Sequence, residues 1–154
     1  MAQGDLIIFS QFKVDLGLGL HDLDSATGDT IMAAFVTSAT TTLTAATADP
    51  RWGAALGTTD LSATKADGGN FPVGGVDITT TYAANGADAL FDGTVNIAYA
   101  KLGTNPADSR WVVIYNFTDT GKRCIAAVDL GAVADGTAGA VNVTWNASGI
   151  FTVE

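Results

Sequence analysis

The chain has 154 residues, 47% of them hydrophobic and only 15% charged, with a formal net charge of -9. A length of this order fits one domain that buries roughly 70% of its unfolded surface, so neither disulfides nor metals are needed for folding. Seven scattered Lys and Arg against sixteen acidic residues argue against nonspecific nucleic-acid binding, and no apolar run is long enough to predict a membrane span.

Fifteen of the acidic residues are Asp, and the other is Glu154. Asp serves turns and caps where Glu serves helix interiors, so the bias predicts strands joined by many turns. Cys124 is the sole cysteine, which rules out an internal disulfide and suits synthesis in a reducing cytosol. Within KRCIAAV it reads as a small core residue, with no second thiol or base beside it in sequence to make it reactive. The opening MAQGDLIIFSQ lacks the basic lead and long apolar run of a signal peptide.

In chain order, Leu6, Ile7, Ile8 and Phe9 form a short apolar run that predicts either a first strand or, with residues 1–10, an arm that docks on a neighbour. Ser10 is placed to cap a helix over 11–18 whose Phe12 and Leu16, with Leu20 beyond, fall four apart on one side, although Gly17 and Gly19 weaken it. A polar turn over 21–29 precedes a buried-strand candidate at 30–37. Residues 38–60 keep no clean period and predict a long loop carrying Arg51 and Trp52, and such loops are commonly functional. Residues 61–64 suit a brief strand and 67–75 must turn. Residues 76–82 alternate as a half-buried strand does, and Asn85-Gly86 and Asp92-Gly93 predict tight turns around 89–91 and before 94–99. After a loop over 101–109, four runs (WVVIYNF, RCIAAVDL, VNVTW, IFTV) separated by TDTG, GAVADGTAG and NASG predict a β-meander over 110–154. About eight strands with at most one short N-terminal helix predict a mainly all-β fold, an antiparallel β-sandwich or jelly-roll-like domain spanning 1–154.

Little in this pattern is catalytic. His21 with Asp22, Asp24 and Asp29 lacks the ligand order of a calcium loop and reads as a turn with Asx-type bonds. A triad would have to use this single His, and no G-x-S-x-G run supplies a nucleophile. The GLGL and GGN glycines neither follow a strand nor open a long helix, so they read as turns and not phosphate loops. Sequons begin at Asn116, Asn142 and Asn146, and in the absence of a secretory signal they read as strand and turn residues. Trp111 and Trp145 lie in apolar runs and are expected in the core, which leaves Trp52 as the contact candidate.

The segments MAQGDLIIFSQFK, HDLDS, DTIMAAFVTSAT, DPRW, GGVDIT, NPADSRWVVIYNFTD, AAVDLG and VNVTWNASGIFTV together resemble the small virion proteins of tailed bacteriophages encoded near the major capsid protein. The resemblance covers nearly the whole chain and departs from the pattern at residues 26–28 and in the Ala-rich stretch 40–48. It implies a non-enzymatic structural protein without cofactor, made in the host bacterial cytoplasm and located in the virion. Capsid decoration or cement proteins of similar size bind the major capsid protein, often as trimers, with no nucleic-acid or membrane partner. A neck, tail or head-fibre component and a glycan-binding module using Trp52 are the alternatives. Leu6, Ile7, Ile8, Phe9 and Phe12 with Arg51 and Trp52 are the expected intersubunit contacts.

Overall fold

The structure is a computed structural model that describes residues 3–53 and 56–153. Residues 1, 2, 54, 55 and 154, which belong to the predicted arm, loop and meander, lie outside the described residues. Along the chain the elements are β1 (Leu6–Ile8), α1 (Ser10–Gly17), β2 (Ile31–Val36), β3 (Pro50–Arg51), β4 (Thr59–Asp60), a 3-10 turn (Leu61–Thr64), β5 (Val76–Asp77) and β6 (Thr80–Asn85). There follow β7 (Asp88–Gly93), β8 (Ile97–Tyr99), β9 (Ser109–Asn116), β10 (Cys124–Ala134), β11 (Val141–Val143) and β12 (Phe151–Val153).

The principal sheet has the order β1-β10-β9-β2-β5, with every neighbouring pair antiparallel. SRWVVIYN is apolar nearly throughout, so β9 has no polar face to give to water and takes the centre of the sheet, buried on both sides. Successive side chains alternate between faces, which divides Trp111, Val113 and Tyr115 from Val112, Ile114 and Asn116. The long 38–60 segment covers the first face: the Trp111 indole N–H donates to the Thr40 carbonyl at 3.0 Å, and Trp52 stacks on Tyr115 with ring centroids 5.1 Å apart. On the second face the Asn116 side chain meets the 21–29 turn. A three-stranded sheet, β12-β7-β6, and a pair, β11-β8, complete the antiparallel framework, while β3 and β4 form a short parallel pair. The fold is therefore mainly β with antiparallel sheets and one short helix, as the Asp-rich, turn-rich composition predicts.

Several local expectations are corrected. Only the first half of the predicted C-terminal meander forms as a hairpin, β9 with β10; β11 pairs instead with β8 and β12 with β7. Turn clusters reverse the chain but do not choose the partner, and here the free edges of earlier strands win. Asp92-Gly93 is no turn, since both residues remain in the ladder opposite Thr81 and Thr80. The alternating run 76–82 is broken: Asp77 pairs with Met32 in the principal sheet, Thr80 pairs with Gly93 in another, and Thr79 between them has φ 43°. Residues 61–64 wind into a 3-10 turn because the Asp60 carboxylate accepts from the Ser62 N–H at 2.9 Å, which satisfies a free donor at its start. The helix begins at Ser10, with Phe9 at the capping position and no side-chain cap, and its buried side is Phe12 and Asp15 while Leu20 is 37% exposed.

Candidate functional site

β1 pairs with β10 through Leu6↔Val128, Ile7↔Ala127 and Ile8↔Ala126, so the apolar run at the N-terminus is an edge strand of the chain's own sheet. Ile7, Phe9 and Phe12 are buried, and Phe12 sits edge-on to Phe151 with centroids 5.6 Å apart. Of the residues expected at an intersubunit contact, these three have their apolar surface removed from water within the chain. Leu6 and Ile8 are half-buried and border two grooves. One, of about 400 Å³, lies among Ile8, Phe12, Leu16, Phe151 and Val153 with Lys13 at its side. The other, of about 280 Å³, lies among Leu6, Val128, Val143, Trp145 and Ile150.

Arg51 and Trp52, the other residues expected at a contact, are also packed within the chain. Trp52 is 8% exposed, lies nearly parallel to the Tyr115 ring at 13°, and is held by its N–H to the Lys122 carbonyl at 3.0 Å. Arg51 is equally buried, with Nε 2.7 Å from Asp49 Oδ1 and Nη1 3.9 Å from Asp119 Oδ2. Burial raises the Tyr115 hydroxyl pKa far above its ordinary value, and that O–H donates to the Gly74 carbonyl at 2.7 Å. Trp111 is in the core as expected. Trp145 is only half-buried, its indole N–H donating to the Val95 carbonyl at 2.8 Å. Cys124 is free and buried, and burial pushes its thiol well above the usual range.

The most concentrated polar chemistry lies where α1, the 21–29 turn and the β9–β10 hairpin meet. Asp24 N–H to Asp22 Oδ1 (3.3 Å) and Ala26 N–H to Asp24 Oδ1 (3.1 Å) are the Asx-type bonds that the sequence predicts. Beneath them, His21 is 8% exposed and its ring lies 5.2 Å from that of Phe12. Asn116 is fully buried and donates from Nδ2 to Asp29 Oδ2 at 2.5 Å, with His21 Nδ1 3.2 Å from the same nitrogen. Its Oδ1 accepts from the Asp119 N–H at 2.9 Å. Arg123 joins the cluster by pairing with Asp119 at 2.5 Å and reaching Asp15 at 3.4 Å.

Burial lowers the His21 pKa below 6.5, opposed by the charges of Asp15, Asp119 and Asp29 and assisted by Arg123. Burial would raise the Asp119 carboxyl, yet hydrogen bonds from the Gly121 and Arg123 N–H groups and the Arg123 guanidinium hold it below its ordinary value. Among the described residues no group of three His, Cys, Asp or Glu side chains could hold a metal ion, and no helix is long and apolar enough to cross a membrane. Nothing in the sequence pattern marks Asp15, Asp119 or Arg123 as members of a site, and Asn116 reads there only as a strand residue that opens a sequon. Two signals of burial were available: Asp15 lies three positions from Phe12, on the helix side that is buried, and Asn116 ends an otherwise apolar strand.

The fold and the cluster together define a mainly β protein in which charged groups brace one element against another. No protein-family model, no curated protein and no solved structure matches the chain.

Proposed function

We propose that this chain is a non-enzymatic structural protein of a tailed-bacteriophage virion, a decoration or cement protein that bridges major capsid subunits. The reading rests on the resemblance set out above, and one observation carries it further. The segments that bear the resemblance build the framework: MAQGDLIIFSQFK supplies β1 and the first half of α1, DTIMAAFVTSAT supplies β2, NPADSRWVVIYNFTD supplies β9, and AAVDLG lies in β10. What is shared is thus a scaffold, and a scaffold suits a protein whose task is to hold others together. The charge of -9 favours a basic surface on the partner.

Contact falls to side chains the fold leaves outside. Val14 on α1 and Leu18 at its C-terminal cap lie one turn apart, and Val73, Leu102, Phe117 and Val133 project from loops and strand ends. A trimeric assembly on the capsid would place such patches against neighbouring capsomers. Deleting residues 2–9 is not a clean test, because it removes β1 and Phe9 from the core. The double variant Val14→Asp, Leu18→Asp should keep the urea midpoint of the parent protein and lose binding to expanded capsids. Locating the protein in virion images decides the reading: density over the whole shell at a copy number comparable to the capsid protein supports it. Density confined to the neck, tail or a fibre, or absence from the particle, overturns it.

A further inference from the structure

The Asn116 amide fixes the protonation state of its neighbour. Its Oδ1 accepts from the Asp119 N–H and its Nδ2 donates to the Asp29 carboxylate, so the amide cannot be turned round without placing like groups together at both contacts. The second Nδ2 hydrogen then points to His21 Nδ1, 3.2 Å away, and that nitrogen must be the acceptor. The ring proton of neutral His21 consequently sits on Nε2, which is buried with no hydrogen-bond partner among the described residues. A proton taken from solvent onto Nδ1 uses the lone pair that accepts from Asn116 and sets two donors face to face.

We infer that His21 is an acid-sensitive latch: protonation at Nδ1 breaks its bond to Asn116 and loosens the 21–29 turn from the end of β9. The groups facing the ring are Asp15 on α1, Asp29 in the turn, and Asp119 and Arg123 on the β9–β10 hairpin. Asp22, next in the chain, is held through its N–H to Asp29 Oδ2 at 2.9 Å. Three carboxylates give the imidazolium somewhere to go once it leaves Asn116, so the latch has two arrangements, one neutral and locked, the other charged and swung away. Burial outweighs those carboxylates in the locked arrangement, which places the folded pKa below 6.5. The sign follows: locking is fully present above pH 6.5 and is lost as pH falls through the lower folded value. Each unit of depression weakens the locked arrangement about tenfold in acid.

His21 is the only histidine, so its imidazole nitrogen and carbon-bound proton resonances can be followed in the intact protein without ambiguity. At about pH 7.5 they should report the Nε2–H tautomer, and the ring should titrate with a midpoint below the ordinary histidine value. Over the same range, the protection factors of amides in residues 21–30, taken against the intrinsic exchange rate at each pH, should fall while those of β9 and β10 hold. His21→Gln, whose side-chain oxygen can accept from Asn116 but takes no proton here, should make those protection factors independent of pH. An Nδ1–H tautomer, or a midpoint at or above the ordinary value, overturns the inference from the parent protein alone, whatever the variant does. A loss of protection that is equal in His21→Gln also overturns it.

Discussion

Trp52→Ala separates a structural indole from a ligand-binding one. The side chain is 8% exposed and stacked on Tyr115. A buried Trp removes about 150–250 Å² from water, and at about 25 cal/mol per Å² that is worth about 4–6 kcal/mol. Alanine keeps a little of this and the cavity relaxes in part, so a loss of about 3–5 kcal/mol is expected. With a urea m-value of about 2 kcal/mol per M, the unfolding midpoint should fall by about 1.5–2.5 M. Far-UV circular dichroism is the suitable probe, because the substitution removes a fluorophore. Tyr115→Phe, which deletes only the hydroxyl bonded to Gly74, should cost about 1 kcal/mol. A midpoint for Trp52→Ala within about 0.5 M of the parent would refute the packing argument, since a core indole cannot be removed so cheaply.

Three further outcomes can be measured with the same unfolding assays. Gly75→Ala should destabilise by at least about 2 kcal/mol, because Gly75 has φ 87° and a Cβ there would lie 2.2 Å from the Ala33 carbonyl oxygen. Arg110→Met should cost about 3 kcal/mol by leaving the Asp129 carboxylate, only 1% exposed, without its bidentate partner; a midpoint equal to the parent's would show that the pair contributes nothing. Cys124 should be silent to a thiol reagent in the native protein and react only as urea opens the fold, because burial both hides the sulfur and keeps it protonated; rapid labelling without denaturant would contradict its place in the core.

The mainly β class was legible in the sequence because it depends on quantities that composition carries: the Asp-for-Glu bias, the β-branched runs and the turn clusters. β2 and β9 were legible for the same reason, as long apolar runs commit a strand to the interior whatever its neighbours are. Partner choice was not. Phe151–Val153 reads as the last strand of a meander, and nothing in IFTV says that its partner is β7. The alternation of 76–82 likewise conceals a change of sheet at Thr79, because period two records which side is buried and not against what. Trp52 shows how a loop misleads: residues without a period look like surface, yet a long segment can lie over a sheet and supply its second layer. The polar cluster escaped because its members come from distant parts of the chain, and only the folded chain brings Asp15, His21, Asp29 and Asn116 together.

The edge-on contact between Phe12 and Phe151 ties the first helix to the last strand. During synthesis, α1 must wait until residue 151 has been made before that contact can close, with its apolar side lacking one of its partners. Pairings so remote in sequence slow folding and prolong the exposure of sticky intermediates. Truncation before Phe151 should therefore leave the apolar side of α1 short of a partner and raise its sensitivity to proteases.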